Sequence, residues 1–352
     1  MALKNSSKSK KIGVVGVGSF GAAIANMLAE KSEVMVYARK EEVVAEINTF
    51  HTLSGREFNP TIRATTDPSG LCRDCDILFF MVPSSGFLEV VRNFAPFLYP
   101  YHVIIHGTKG LALNLGKGES LDTVQKLKRS QILTMSEVIL QETVAVRVGC
   151  LAGPNISKEL SLGHPAATVI ASKYNEVILE GQRLLRSERF QVYGNSDIIG
   201  VELSGVLKNI IAIASGALAG LGLGENAKGL LISRGMVEMV HLSKALGGSV
   251  QSVMGLAGVG DLVTTCNSVD SRNFTVGFRL AKGETLDQIL ATMDEVAEGI
   301  NTVRIVDAFI KTAGIRAPIT ENLHRVLFED LSISEALQAL MKYPFSVDVD
   351  FV

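Results

Sequence analysis

The sequence predicts an α/β domain built on a parallel sheet, followed by an all-α domain. Three observations carry that expectation. Short apolar, β-rich runs alternate with helix-spaced segments through the first half, which is the pattern of a parallel sheet covered on both faces. After about Asn195 the strand-like runs stop and helical periodicity takes over. With 352 residues, the chain is long enough for about two domains of roughly 150 residues each.

The expected strands are Lys11–Gly18, Glu33–Ala38, Asp76–Pro83, His102–Gly107 and Arg147–Ala152, with Ala167–Ser172 and Phe190–Gly194 extending the sheet. Ala22–Lys31 and Glu41–Phe50 have helical spacing between them. In the second half, Val201–Ala219, Ala227–Leu246, Thr285–Met293, Thr302–Thr312, Ile319–Glu329 and Ser334–Lys342 read as helices. Gly, Asn, Ser and Asp fall together in Gly194–Gly200, which marks the boundary. The expected domains are therefore residues 1–194 and 195–352.

Composition narrows the class. Hydrophobic residues make up 47% and charged residues 20%, enough for a large core and incompatible with intrinsic disorder. Lys and Arg number 34 against 36 Asp and Glu, so there is no basic excess to neutralise a phosphate backbone, and no nucleic-acid partner is expected. Four cysteines make no disulfide framework and suit a reducing, cytoplasmic compartment. Met1–Lys11 is Ser/Lys-rich without an apolar centre, so it reads as a solvated tail and not a secretory signal. It is too short for a whole transit peptide, and a plastid location would require a trimmed N-terminus. The most apolar stretch, Ile210–Gly224, is interrupted by Ser215, Gly216, Gly220 and Gly222. It falls short of the about 18 residues of a spanning helix and reads as a buried core helix, so no membrane span is expected.

The first motif with chemistry is Gly16-Val17-Gly18-Ser19-Phe20-Gly21, a GxGxxG after an apolar strand and before a helix. The first glycine permits a tight turn, the second lets a pyrophosphate approach the backbone, and the third lets helix and strand pack closely. Free N–H groups of the helix then face the anion. This is the signature of a Rossmann-type dinucleotide-binding sheet. The second strand runs out in Tyr37-Ala38-Arg39-Lys40, with Glu41 and Glu42 only afterwards. An acidic residue at its end would hold a ribose 2′-hydroxyl, whereas Arg39 suits a 2′-phosphate. NADP(H) is favoured, with NAD(H) the alternative.

Three further constellations are candidate sites. Lys208 lies in Gly205-Val206-Leu207-Lys208-Asn209-Ile210, an otherwise apolar helix, where desolvation would lower its pKa and suit it to proton exchange. The alternative is a lysine that snorkels to solvent. Asp261 and Thr265, in Gly260-Asp261-Leu262-Val263-Thr264-Thr265, share a face if the segment is helical. The following Ser271-Arg272-Asn273 resembles an anion grip, although a helix cap beside a surface arginine would look the same. In Thr108-Lys109-Gly110, Lys109 stands at the carboxyl end of a strand, where open α/β sheets bind ligands, or simply in a loop. No metal is expected: Cys72-Arg73-Asp74-Cys75 is a single pair, and the six histidines are scattered. The stretch around Gly116-Lys117 has the wrong spacing for a phosphate loop, and Gly118 replaces the required hydroxyl residue.

Taken together, GVGSFG (16–21), VP (82–83), TKG (108–110), GPNISKE (153–159), LKN (207–209), GDLVTTC (260–266), SRN (271–273) and AEG (297–299) resemble the NAD(P)-dependent glycerol-3-phosphate dehydrogenases. The likeness runs from about Ile12 to Leu340. It implies reversible hydride transfer between NAD(P)H and dihydroxyacetone phosphate, giving sn-glycerol 3-phosphate for glycerophospholipid synthesis, by a homodimer. It further implies that Lys208 is the acid/base. Asp261 and Lys109 would stand beside it, with Gly153, Asn155, Ser271, Arg272 and Asn273 around the substrate. Gly16, Gly18, Ser19, Phe20, Gly21, Arg39, Lys109, Ser157, Arg272, Val296 and Glu298 would touch the cofactor. Asn155 and Ser157 depart from the small hydroxyl residue and the alanine more usual there. The competing readings are another Rossmann/helical reductase, of hydroxy-acid or ketopantoate type, and a non-catalytic NADP-binding sensor.

Overall fold

A computed structural model of the chain describes residues 11–116, 118–293, 295–344 and 347–348. The expected N-terminal tail (residues 1–10) and Lys117 lie outside the described residues. The described residues divide into two compact units, one within 11–108, 136–151 and 155–196, the other within 109–135, 152–154 and 197–348.

The first unit is an eight-stranded sheet with helices. Its strands are β1 Lys11–Val15, β2 Val34–Tyr37, β3 Arg63–Thr65, β4 Cys75–Phe80, β5 Val103–His106, β6 Arg147–Ala152, β7 Ala166–Ser172 and β8 Phe190–Asn195. The order is β8-β7-β6-β5-β4-β1-β2-β3. The pairs β1–β2, β1–β4, β2–β3, β4–β5, β5–β6 and β7–β8 are parallel. The central strands read as near-continuous apolar runs because both their faces are covered: Ile12, Val14, Leu78, Phe79 and Ile105 are fully buried. The β3 edge strand was not expected from the sequence; its Arg-Ala-Thr is too short and polar to read as one. The first strand also ends sooner than its apolar run, at Val15, because Gly16 turns the chain at φ +106°. Helix α1 (Ser19–Ala29) follows at once, and α2 (Glu41–Phe50) opens with Glu41 and Glu42 in its first turn, where the helix dipole favours negative charge.

The second unit is helical apart from a small hairpin, Leu111–Leu113 with Ile132–Thr134. Its principal helices are α3 Ile198–Gly220, α4 Glu225–Ala245, α5 Asp261–Asn267, α6 Arg272–Ala281, α7 Glu298–Ala313, α8 Pro318–Phe328 and α9 Ile333–Met341. Helix α3 is the axle. It is longer than the apolar run suggested and, by length and composition, apolar enough to cross a membrane, yet 89% of its most apolar window is buried inside the fold. Asp197 caps it, accepting from Gly200 N at 2.9 Å and from Ser252 Oγ at 2.8 Å.

Helices α5 and α6 occupy a stretch whose sequence carried only motifs, and they are what brings those motifs to α3. Helix α6 crosses α3 with backbone against backbone. A Cβ on Gly216 would lie 1.9 Å from Phe274 O, and one on Gly277 would lie 1.8 Å from Ile213 O. Two of the glycines that interrupt the apolar run, Gly216 and Gly220, thus lie against α6. Alanine at either would force the helices apart, a small-to-large change of the kind that costs about 1–3 kcal/mol.

Candidate active site

The glycine turn of the first unit has the shape its sequence implies. At Gly16 a Cβ would meet Met81 O, just past β4, at 2.5 Å, and at Gly21 it would meet Gly16 O at 2.1 Å. A side chain would push the turn off the neighbouring strand end at the first and the helix off the turn at the second. Gly18 differs: its missing Cβ faces open space, with nothing within 4 Å. Gly18 is also the residue before α1, whose first turn carries no side-chain cap and no acidic residue. The N–H groups at this helix start are arranged to receive an anion, and the dipole adds to the attraction. These residues fit the pyrophosphate of a dinucleotide. Phe20 packs over Gly107, where a Cβ would come within 2.8 Å of its ring. Arg39 and Lys40 are exposed just beyond β2, while Glu41 receives a hydrogen bond from Thr66 Oγ1 at 2.6 Å.

Also in this unit are Ser157, which opens the short helix Ser157–Ser161, and Asn155. The amide of Asn155 donates to Ala167 O at 2.9 Å and accepts from Thr168 Oγ1 at 2.8 Å, tying the segment after β6 to β7.

The second unit gathers Lys109, Gly153, Lys208, Asp261 and Thr265. Asp261 begins α5 directly after a single π turn, Leu256–Gly260, a local widening that often marks functional segments. Its Oδ1 accepts from Lys208 Nζ at 2.8 Å and its Oδ2 from Lys109 Nζ at 2.6 Å. Lys109 Nζ also donates to Gly153 O at 3.2 Å. Thr265, one helical turn after Asp261, accepts from Lys208 Nζ and donates to Asp261 Oδ1 at 3.2 Å. The i,i+4 face read from the sequence is real, and Thr265 completes the cluster as a direct partner of Lys208.

Burial gives this cluster its chemistry. The Lys208 and Asp261 side chains are 7% and 3% exposed, so Lys208 does not snorkel to solvent. Burial pushes its ammonium down from 10.5 to about 8, with Lys109 adding to the fall and Asp261 opposing it. Burial alone would raise the Asp261 carboxyl. The charges and hydrogen bonds of Lys109 and Lys208 outweigh it and hold the group below its ordinary value.

A second, more open group lies in the same unit. Arg272 starts α6 and donates through Nη1 to Val296 O at 3.0 Å, with Glu295 Oε2 at 3.1 Å. Ser271 is the N-cap of α6, accepting from Phe274 N at 3.3 Å. Asn273 Oδ1 accepts from Gly299 N at 2.9 Å, just after Glu298 opens α7. A Cβ on Gly299 would lie 2.9 Å from Asn209 O, so this junction is seated on α3 next to Lys208. The cap reading of Ser271 is therefore realised alongside an arginine that faces solvent. Glu295 was not recognisable in the sequence: it lies in a loop far from Arg272, with no periodicity to pair them.

Sequence profiles for the N-terminus and C-terminus of NAD-dependent glycerol-3-phosphate dehydrogenase match residues 11–178 and 197–338. A glycerol-3-phosphate dehydrogenase [NAD(P)+] from Teredinibacter turnerae is 39% identical over 97% of each chain. The chain belongs to the NAD(P)-dependent glycerol-3-phosphate dehydrogenase family. The crystal structure of the glycerol-3-phosphate dehydrogenase of Coxiella burnetii superposes with a TM-score of 0.84 at 32% identity, covering 95% of this chain and 99% of that one. A ketopantoate reductase from Ralstonia eutropha reaches a TM-score of only 0.54 at 16% identity, covering 93% of this chain and 99% of that one. That likeness is one of fold. The chain is thus an NAD(P)-dependent oxidoreductase of this family, and the match of both family profiles over nearly its whole length leaves the ketopantoate-type and sensor readings not favoured.

Proposed function

We propose that this glycerol-3-phosphate dehydrogenase reduces dihydroxyacetone phosphate to sn-glycerol 3-phosphate reversibly, with Lys208 as the proton donor and NADPH as the preferred reductant. The observation that carries the proposal is the buried carboxylate of Asp261 held between two lysine ammonium groups. When bound, the nicotinamide supplies the hydride. As hydride adds to the ketone carbon, negative charge develops on its oxygen, and that charge needs a proton and a positive environment. Lys208 offers both. Its pKa, lowered to about 8, still leaves the ammonium largely charged at neutral pH while making it readier to give its proton. Asp261 and Thr265 fix its position, and Lys109 supplies a second positive charge that stays in place when Lys208 becomes neutral.

Gly153 and Asn155 would help shape the substrate's surroundings. Arg272, with Ser271 and Asn273 setting its position at the start of α6, would hold the phosphate, since a guanidinium fork matches phosphate oxygens. Gly16, Gly18, Ser19, Phe20 and Gly21 would hold the pyrophosphate, and Arg39 the 2′-phosphate. Ser157, Lys109, Arg272, Val296 and Glu298 would complete the cofactor's contacts. In this reading residues 1–194 chiefly serve the cofactor and 195–352 the substrate. The homodimer rests on the family likeness. A cytoplasmic setting is supported by the buried thiols of Cys72, Cys75 and Cys266, which suit a reducing compartment.

A spectrophotometric assay of dihydroxyacetone phosphate with NADPH and with NADH tests the function. Turnover with both, faster at low NADPH than at low NADH, is expected. Absence of turnover with either would overturn the proposal.

A further inference from the structure

We propose that the helical unit carries a second ligand site, an apolar cavity of about 590 Å³ that takes the chain of a single-chain aliphatic amphiphile with an anionic head group. The volume falls in the range of small-molecule pockets, roughly 300–1,000 Å³. The walls come from α3 (Ile213, Ala217), α4 (Ala227, Leu231), α8 (Leu323) and α9 (Leu337). Among the described residues they are almost wholly aliphatic, and Tyr343 is the one ring. A flat aromatic ligand is best held by stacking against rings, whereas a flexible chain needs only apolar surface and dispersion contacts. Leu230 and Met341, also lining residues, are 49% and 65% exposed. A bound chain would cover apolar surface that now faces water.

The head-group assignment rests on charge. Among the described residues of the lining, Arg234 is the only charged one. Its Nη2 already holds a carboxylate, the Oδ1 of Asp348 at 2.5 Å, and donates to Asp348 O at the same distance. The Asp348 side chain is 89% exposed, against 15% for Arg234. Water screens the exposed Asp348 end of the pair, so a carboxylate or phosphate arriving from solvent can take its place on a guanidinium that also donates through Nη1 to Val347 O at 3.3 Å. Apolar walls and one carboxylate-binding arginine together describe an acid-headed chain. None of these residues belongs to the Lys208–Asp261 cluster, so the inference stands independently of the proposed reaction.

The test is titration of the full-length protein with octanoate, laurate, palmitate and the neutral dodecanol, below their micelle concentrations, by calorimetry and native mass spectrometry. One chain per protein molecule is expected. Affinity should rise by about fourfold for each added methylene until the cavity is full, the equivalent of ~0.8 kcal/mol per buried CH₂. Ala227→Phe, which fills the cavity, should weaken laurate at least tenfold while leaving helical circular dichroism and reductase turnover as in the wild type. Arg234→Gln should weaken laurate about tenfold and leave dodecanol unchanged, and Asp348→Asn should tighten laurate. Three results would overturn the inference: no saturable binding, laurate binding indifferent to Ala227→Phe, or equal loss of laurate and dodecanol in Arg234→Gln. If the wild type binds no chain and Ala227→Phe instead reduces its mass in light scattering, a second copy of the chain covers this face.

Discussion

Two ion-paired groups in the helical unit, Lys109–Asp261–Lys208 and Arg272–Glu295, pair cation with carboxylate under opposite solvation. The first is sealed, with Lys208 and Asp261 side chains 7% and 3% exposed. The second stands open, with Arg272 at 46% and Glu295 at 34%. Removing one member of a buried ion pair leaves an uncompensated charge, whereas exposed pairs contribute about 0.2–1 kcal/mol. The sealed group is suited to tuning a proton and tolerates little change. The open group is suited to exchanging partners, since its arginine can leave Glu295 for a phosphate at small cost.

The largest effect should come from the sealed group. Lys208→Met keeps an apolar stem but removes the donor, so kcat should fall by about 10²–10⁴ with little change in NADPH affinity. Near-normal turnover would show that burial here serves packing alone. Arg272→Ala comes next. A charge-assisted contact is worth about 1.5–3 kcal/mol, so kcat/KM for dihydroxyacetone phosphate should drop at least roughly tenfold. Unphosphorylated dihydroxyacetone, a poor substrate throughout, should lose less. Equal losses on both, with NADPH binding intact, would take Arg272 away from the phosphate. Outside both groups, Arg39→Asp should raise KM for NADPH much more than for NADH, and parallel changes would refute the 2′-phosphate contact. The smallest effect belongs to Glu295→Gln. Freeing Arg272 from an exposed carboxylate should lower KM for dihydroxyacetone phosphate by up to about fivefold, and a higher KM would mean that Glu295 helps to hold the substrate.

The same contrast explains what could be read in the sequence. The glycine turn was legible because its spacing is local: Gly16 and Gly21 answer to backbone close by, and Gly18 leaves open space at the helix start. Lys208 stood out as a charge in an apolar helix, and Asp261 with Thr265 by helical spacing. What joins them was not legible. The approach of α6 to α3 depends on Gly216 and Gly277 meeting backbone of the other helix, and no local pattern announces which glycines do so. Lys109 and Glu295 are positioned by loops, where neither period nor propensity constrains the partner. The short edge strand β3 escaped for a similar reason: its place is set by pairing with β2 more than by its own residues.

The central claim, that the Lys208 ammonium delivers the proton, is tested most directly by the pH dependence of kcat/KM, which reports groups on the free enzyme. For reduction of dihydroxyacetone phosphate, kcat/KM should hold level near neutrality and fall tenfold per pH unit above about 8, as Lys208 loses its proton. For oxidation of sn-glycerol 3-phosphate the neutral amine is the active form, so kcat/KM should rise through the same range. In Asp261→Asn the fall should move to lower pH, because the carboxylate that favours the ammonium is gone. A reduction profile that stays flat from neutrality to well above pH 8 in the wild type would contradict the assignment of Lys208 as proton donor.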